Sequence, residues 1–263
     1  MMPDRTVQGF IVAAAAALVV GGQVWGNKDK AGPVITAASA LIRGDSSTDS
    51  ALTTTASPLA KTTNAALAKL SSAVKPLSHP KALATAFNSY FAFKAAHPDE
   101  VRKPYLYFVD YGLPSTEPRG YVFDMNSLKI VDGPFTVAHG RGSSTSKYGI
   151  PTTFSNALGS MATSLGLYLT EATYKFRGNS GGRHYSSIGM RLQGVMSGFN
   201  DMALARGVVA HGAPYVTASK AGRSEGCPAM EQGRAKKLLP KLADGAMVFL
   251  FAPEKSLLTA DLQ

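Results

Sequence analysis

The chain has 263 residues, 45% of them hydrophobic, enough for one good core plus a tail or for two small domains. Its formal charge of +10 and pI near 9.7 suit an anionic partner, but no Lys/Arg run or aromatic–basic ladder of the nucleic-acid kind occurs, so nucleic acid is not expected. A single cysteine, Cys227, excludes any intramolecular disulfide; in an exported protein such a thiol is partnered between chains or free and reactive.

Gly9 to Val20 is wholly apolar and follows a weakly positive start at Arg5. It is shorter than the ~20 residues of a bilayer-spanning helix and fits the apolar region of an export signal. Extended through residues 9–25 it reaches spanning length, so residues 1–26 read as a signal peptide or a membrane anchor. Residues 27–77 are rich in Ala, Ser and Thr and read as a linker, because few large apolar side chains are available to bury. Within it, Ala66, Leu67, Leu70, Ala73 and Val74 fall at helical spacing. Ser78 followed by Pro80 reads as the start of a second helix, with Leu83, Phe87 and Tyr90 on one face and His97-Pro98 as its end. His79 and His97 each precede a proline and read as loop or cap residues.

After Pro104 the periodicity changes to that of strands. Strands are predicted at Tyr105–Tyr111, Tyr121–Met125, Leu128–Val131, Phe135–Ala138, Leu165–Ala172, Ser187–Gln193, Val208–His211 and Met247–Phe251. Their spacing and Gly/Pro punctuation predict an antiparallel or mixed sandwich or barrel. Gly140 to Pro151 and Lys175 to Tyr185 read as Gly/Ser/Arg-rich loops, of the kind that edge a site.

The stretch from Val208 to Met230 holds the chemistry. Pro228 follows Cys227, and Ala229 to Leu239 reads as a helix, which makes Cys227 its expected N-cap, where exposed backbone N–H groups and the helix dipole would stabilise a thiolate. Gly226 permits a tight turn, and N–H groups there could bind an oxyanion. A nucleophilic thiol wants a base within hydrogen-bond reach. His211, sixteen residues earlier at a strand end, is the first candidate, and His139 in V-A-H-G is the second. No C-x-x-C or H-x-x-x-H spacing is present, so no metal site is expected.

His211-Gly212, followed by Ser224-Glu225-Gly226-Cys227, resembles the signature of the murein L,D-transpeptidase catalytic domain family, in its divergent YkuD-type branch. The blocks Val109–Thr116, Val137–Gly140, Thr152–Ser160, Ser164–Tyr168, Ser197–Asp201 and Gly222–Ala229 are similar too, so the resemblance covers about Phe87 to Phe251. It implies a mainly β fold, an L,D-transpeptidase-like sandwich or barrel with a few short helices, over residues 78–263, behind an N-terminal helical tether. It also implies Cys227 as nucleophile, His211 as base, the Gly212 carbonyl as the third member, and N–H groups near Gly226 and Cys227 as oxyanion donors. The chain departs from the family pattern at Glu225, which stands where a histidine is usual, and at Ala229, which stands for Asn or Arg. Ser224, Arg223, Glu225 and His139 are the expected substrate contacts; Arg177 and Arg183 are further candidates to bind a carboxylate.

The implied activity is a cofactor-free acyl transfer on peptidoglycan stem peptides, outside the cytoplasmic membrane in the periplasm or cell envelope. A Cys thioester would pass to an amine of a second stem and give a 3→3 cross-link. An L,D-carboxypeptidase, a hydrolase that releases wall-linked protein, and a non-catalytic wall-binding module are the alternatives.

Overall fold

The computed structural model describes residues 57–260. The apolar stretch of residues 9–25 and most of the expected linker lie outside the described residues. Among the described residues no helix is long and apolar enough to cross a membrane.

Helix α1 (Pro58–Leu70) begins where Ser57 Oγ accepts the Ala60 N–H at 3.2 Å, with proline in its first turn. Its Ala66 and Leu70 are buried in the same core as the strands that follow, so the packed body begins upstream of residue 78. Helix α2 (Ala82–Ala96) buries Leu83, Phe87 and Tyr90 at helical spacing. Ser78 is not its N-cap; Lys81 holds that position without a side-chain bond. Ser78 instead gives its N–H and hydroxyl to the buried Asp110 carboxylate at 2.7 and 2.6 Å. A buried carboxylate without donors is more costly than an uncapped helix end.

Strands β1 (Tyr105–Asp110), β2 (Gly120–Asp124), β3 (Lys129–Phe135), β5 (Gly166–Ser180), β6 (Arg183–Gly194), β7 (Val209–Ala213), β11 (Ala229–Glu231) and β12 (Met247–Phe251) form one eight-stranded mixed sheet. Its order is β11-β7-β6-β5-β12-β1-β2-β3, with β1/β12 and β7/β11 parallel and the other neighbours antiparallel. Two short ribbons flank it: β4 (His139–Gly140) with β10 (Arg223–Ser224), and β8 (Val216–Thr217) with β9 (Lys220–Ala221). Every residue of β12 is buried, which is why Met247–Phe251 reads as a continuous apolar run instead of alternating. Helix α3 (Gln232–Leu242) buries Ala235, Leu238, Leu239 and Leu242. A short helix α4 (Lys255–Leu258) follows β12.

Three local expectations are corrected. β3 runs through Asp132-Gly133-Pro134, because β2 continues to pair across them with a shift in register. The stretch from Lys175 to Tyr185 is a long hairpin and not a loop: β5 and β6 pair down to Ser180↔Arg183, and Gly181 and Gly182, at φ 58° and 80°, make the two-residue turn. Both turn residues need a left-handed backbone, which glycine supplies without steric cost. Finally, Ala229–Glu231 is strand β11, and α3 starts only at Gln232. Parallel pairing with β7 and burial of Ala229 and Met230 outweigh the preference of Pro228 for a helix start.

Candidate functional site

β7 and β11 lie side by side with His211 opposite Ala229, and the His211 N–H donates to Pro228 O at 3.3 Å. The strand pairing itself thus brings His211 to the Cys227 turn. The His211 ring is 3% exposed and stacks on Phe176 of the β5–β6 hairpin, with ring centroids 4.2 Å apart and 20° between planes. Its Nδ1 lies 3.2 Å from Gly212 O. A carbonyl can only accept, so the proton is on Nδ1 and Nε2 carries the free lone pair. Burial pushes the ring down to about 4, against a smaller upward pull from the Gly212 carbonyl. The ring is therefore neutral at physiological pH and in the tautomer of a base. Gly212 has no room for a side chain: a Cβ would lie 2.4 Å from Ser187 Oγ and 2.8 Å from Ala235 Cβ.

Cys227 is half-buried, and its thiol donates a long hydrogen bond to Gly207 O at 4.0 Å. It does not cap a helix, since β11 follows it, so the macrodipole expected to favour a thiolate is absent. Burial raises the thiol; the Val209 backbone and the Arg206 charge lower it, and Glu225 raises it. Cys227 and His211 are thus a neutral thiol and a neutral imidazole at rest, with no ionised pair formed in advance.

The turn before the sulfur is locked internally. Ser224 Oγ donates to Cys227 O at 2.6 Å and accepts the Gly226 N–H at 3.2 Å. Gly226 has φ +120°, and a Cβ there would meet Ala162 O at 2.9 Å, so glycine is required. With its N–H on Ser224, Gly226 has no free donor for an oxyanion. The Cys227 N–H has no acceptor among the described residues and is the donor left for that role.

The other expected substrate contacts are placed differently from the sequence reading. Ser224 is buried and spends its hydroxyl on the turn. Arg223 donates to Ser144 O and Thr145 O at 2.8 and 3.1 Å, tying down the segment after β4. His139 is fully buried. Its Nδ1 lies 3.0 Å from Arg119 Nη2; a guanidinium only donates, so the ring proton sits on Nε2, which has no partner among the described residues. Burial, Arg119 and Arg223 hold His139 down to about 3. Gly140 beside it approaches Gly226 so closely that a Cβ would fall 2.8 Å from Gly226 Cα, which gives the glycine of V-A-H-G a physical reason. Of these four, only Glu225 is exposed, and it pairs with Arg141 at 2.8 Å and not with Arg223. Arg177 and Arg183 lie exposed on the β5–β6 hairpin.

The sequence reading missed Arg206 and Phe176. Phe176 was legible in principle: Tyr174, Phe176 and Gly178 alternate along one face of the hairpin and pair with Gly189, Ser187 and Tyr185. Arg206 carried no local signal, because its partners lie on a segment more than forty residues earlier.

Among the described residues no group of three or more His, Cys, Asp or Glu is placed to hold a metal. Comparisons with solved structures include an L,D-transpeptidase from Mycobacterium smegmatis, at 14% identity and TM-score 0.34 over 57% of this chain and 59% of that one. They also include an L,D-transpeptidase (Yku) from Stackebrandtia nassauensis, at 16% identity and TM-score 0.36 over 65% and 66%. The chain thus spans less than two-thirds of the length of each of these. No curated protein matches it significantly. The family model described as "L,D-transpeptidase catalytic domain" matches residues 75–251, about two-thirds of the sequence, and the chain belongs to that family.

Proposed function

We propose that this chain is a peptidoglycan L,D-transpeptidase that works through a Cys227 thioester outside the cytoplasmic membrane. The observation that carries the reading is the β7/β11 register, which sets a neutral, Nδ1-protonated His211 beside the turn of the only thiol. No hydrogen bond joins the two side chains among the described residues, so the proton transfer follows a rotation of Cys227 as substrate enters; such contacts are commonly loose before substrate binds.

In the first step the Sγ proton passes to His211 Nε2, and the sulfur attacks the carbonyl that joins the third stem residue to the terminal D-alanine. The developing oxyanion faces the Cys227 N–H. The C–N bond then breaks, and His211 returns its proton to the leaving amine. In the second step His211 takes a proton from the side-chain amine of another stem, that nitrogen attacks the thioester carbonyl, the C–S bond breaks, and His211 returns the proton to the sulfur as a 3→3 cross-link forms. His211 starts both half-reactions neutral, in keeping with its lowered proton affinity. Residues 9–25 serve as the export signal or anchor.

The test is mass analysis of muropeptides incubated with the wild-type protein, Cys227→Ala and His211→Ala. A cross-linked dimer that has lost one terminal D-alanine, that of the donor stem, is expected with wild type and not with Cys227→Ala, and its formation by His211→Ala should be slower by ~10²–10⁴-fold. Release of D-alanine without dimer would make water the acceptor and identify a carboxypeptidase.

A further inference from the structure

Arg206 is a half-buried cation with no acidic partner among the described residues. Its guanidinium donates to four neutral acceptors: Nη1 to Ser155 O at 2.8 Å and Ser164 Oγ at 3.0 Å, and Nη2 to Ala162 O at 2.6 Å and Ser160 Oγ at 3.2 Å. All four belong to the 155–164 segment. That segment is held against the Cys227 turn at the same point: a Cβ on Gly226 would lie 2.9 Å from Ala162 O and 3.4 Å from Arg206 Nη2. The next residue, Gly207, supplies the carbonyl that accepts from Cys227 Sγ. A guanidinium that fans over a whole loop beside the nucleophile, its charge left uncancelled, exceeds what fastening the loop requires.

We propose that Arg206 is a positioning residue for the transfer reaction, which fixes the 155–164 wall against the Cys227 turn and holds an uncancelled positive charge toward the sulfur as it ionises. This rests on the transferase reading above. It also accounts for how a thiol without a helix dipole behind it can become a thiolate. The guanidinium occupies the electrostatic role that the sequence assigned to a helix start, and its planar fork serves several acceptors at once, which an ammonium cannot do.

The other charged and titratable groups facing the sulfur do not supply that charge. Glu225 opposes ionisation and is itself paired with Arg141. His211 is neutral until it takes the thiol proton. The tyrosines that sense Cys227 electrostatically, Tyr111, Tyr168, Tyr174, Tyr185 and Tyr215, are all shifted upward and stay uncharged at neutral pH.

The test is the pH dependence of Cys227 alkylation by iodoacetamide, which reads the sulfur without any wall substrate. Arg206→Gln should move the midpoint up by about one pH unit, a roughly tenfold slower alkylation at a fixed pH below it. Arg206→Lys should keep the midpoint close to wild type while muropeptide transfer falls, because one ammonium cannot serve four acceptors. Ser164→Ala removes one acceptor and no charge, and should leave the midpoint in place. An unmoved midpoint in Arg206→Gln overturns the proposal, as does an equal shift in Ser164→Ala, which would make the effect one of packing. Should the glutamine variant not fold, Arg206→Lys decides: a midpoint raised by about a unit overturns the proposal, and a retained midpoint supports it. Failure of the wild type to cross-link muropeptides would count against the transferase reading and leave the alkylation comparison intact.

Discussion

Lowering the pH from 7.5 to 5 should weaken the fold through two histidines, before most carboxylates begin to titrate. His211 and His139 are buried and neutral, held down to about 4 and about 3, whereas in the unfolded chain each returns to about 6.5. The unfolded state therefore binds more protons below pH 6.5, and stability falls as pH falls. The contribution is fully present above about pH 6.5 and is lost progressively down to the folded-state values. Between pH 7.5 and pH 5 each histidine removes about 2 kcal/mol, about 4 kcal/mol together, a large part of a typical total of ~5–15 kcal/mol. Both rings are essentially unexposed, so solvent screening does not dilute the effect. The assay is urea unfolding at intervals from pH 7.5 to 5 on wild type, His211→Gln and His139→Asn, the asparagine keeping an acceptor for Arg119. Each variant should lose about 2 kcal/mol over the same interval. A wild-type loss below about 1 kcal/mol, or variants that lose as much as wild type, would refute the neutral buried state of these rings and with it the ready base at His211.

Gly226→Ala places a Cβ at φ +120° and 2.9 Å from Ala162 O; it should cost about 1–3 kcal/mol in denaturant unfolding and slow Cys227 alkylation. Phe176→Ala removes the ring stacked on His211 and admits water, so the imidazole should titrate at a higher pH than about 4, measurable by proton NMR of its ring; an unchanged titration would show that the stack does not shield it. Glu225→Gln breaks an ion pair whose side chains are 51% and 66% exposed, so stability should change by less than about 1 kcal/mol. The same substitution removes a charge that opposes thiolate formation, so alkylation should shift to lower pH.

The patterns that were legible are those in which local chemistry and tertiary packing agree. The strands Tyr105–Asp110 and Met247–Phe251 read as continuous apolar runs because both of their faces are covered. The approach of the His211 strand end to the Cys227 turn, sixteen residues on in the sequence, has its structural reason in the parallel pairing of β7 with β11. The misreadings share a cause. Pro228 carries a real preference for helix starts, and Ser78 one for N-caps, yet a vacant strand edge and a buried carboxylate claimed them. At Gly181-Gly182 the composition looked like a loop while the dipeptide specified a hairpin turn. Ser224, Arg223 and His139, expected as substrate contacts, each make hydrogen bonds within the chain, to the Cys227 turn, the segment after β4 and Arg119. A motif marks residues that a site depends on without separating those that touch substrate from those that hold the touching residues in place.

The most direct test of the central claim is intact-protein mass spectrometry of the wild type mixed with a stem tetrapeptide, quenched in acid within the first turnovers. A mass gain equal to the mass of the tetrapeptide less that of one released D-alanine, mapped to the peptide that carries Cys227 and absent from Cys227→Ala, is the predicted result. The absence of any adduct under conditions where D-alanine is released, or an adduct that persists in Cys227→Ala, would contradict it.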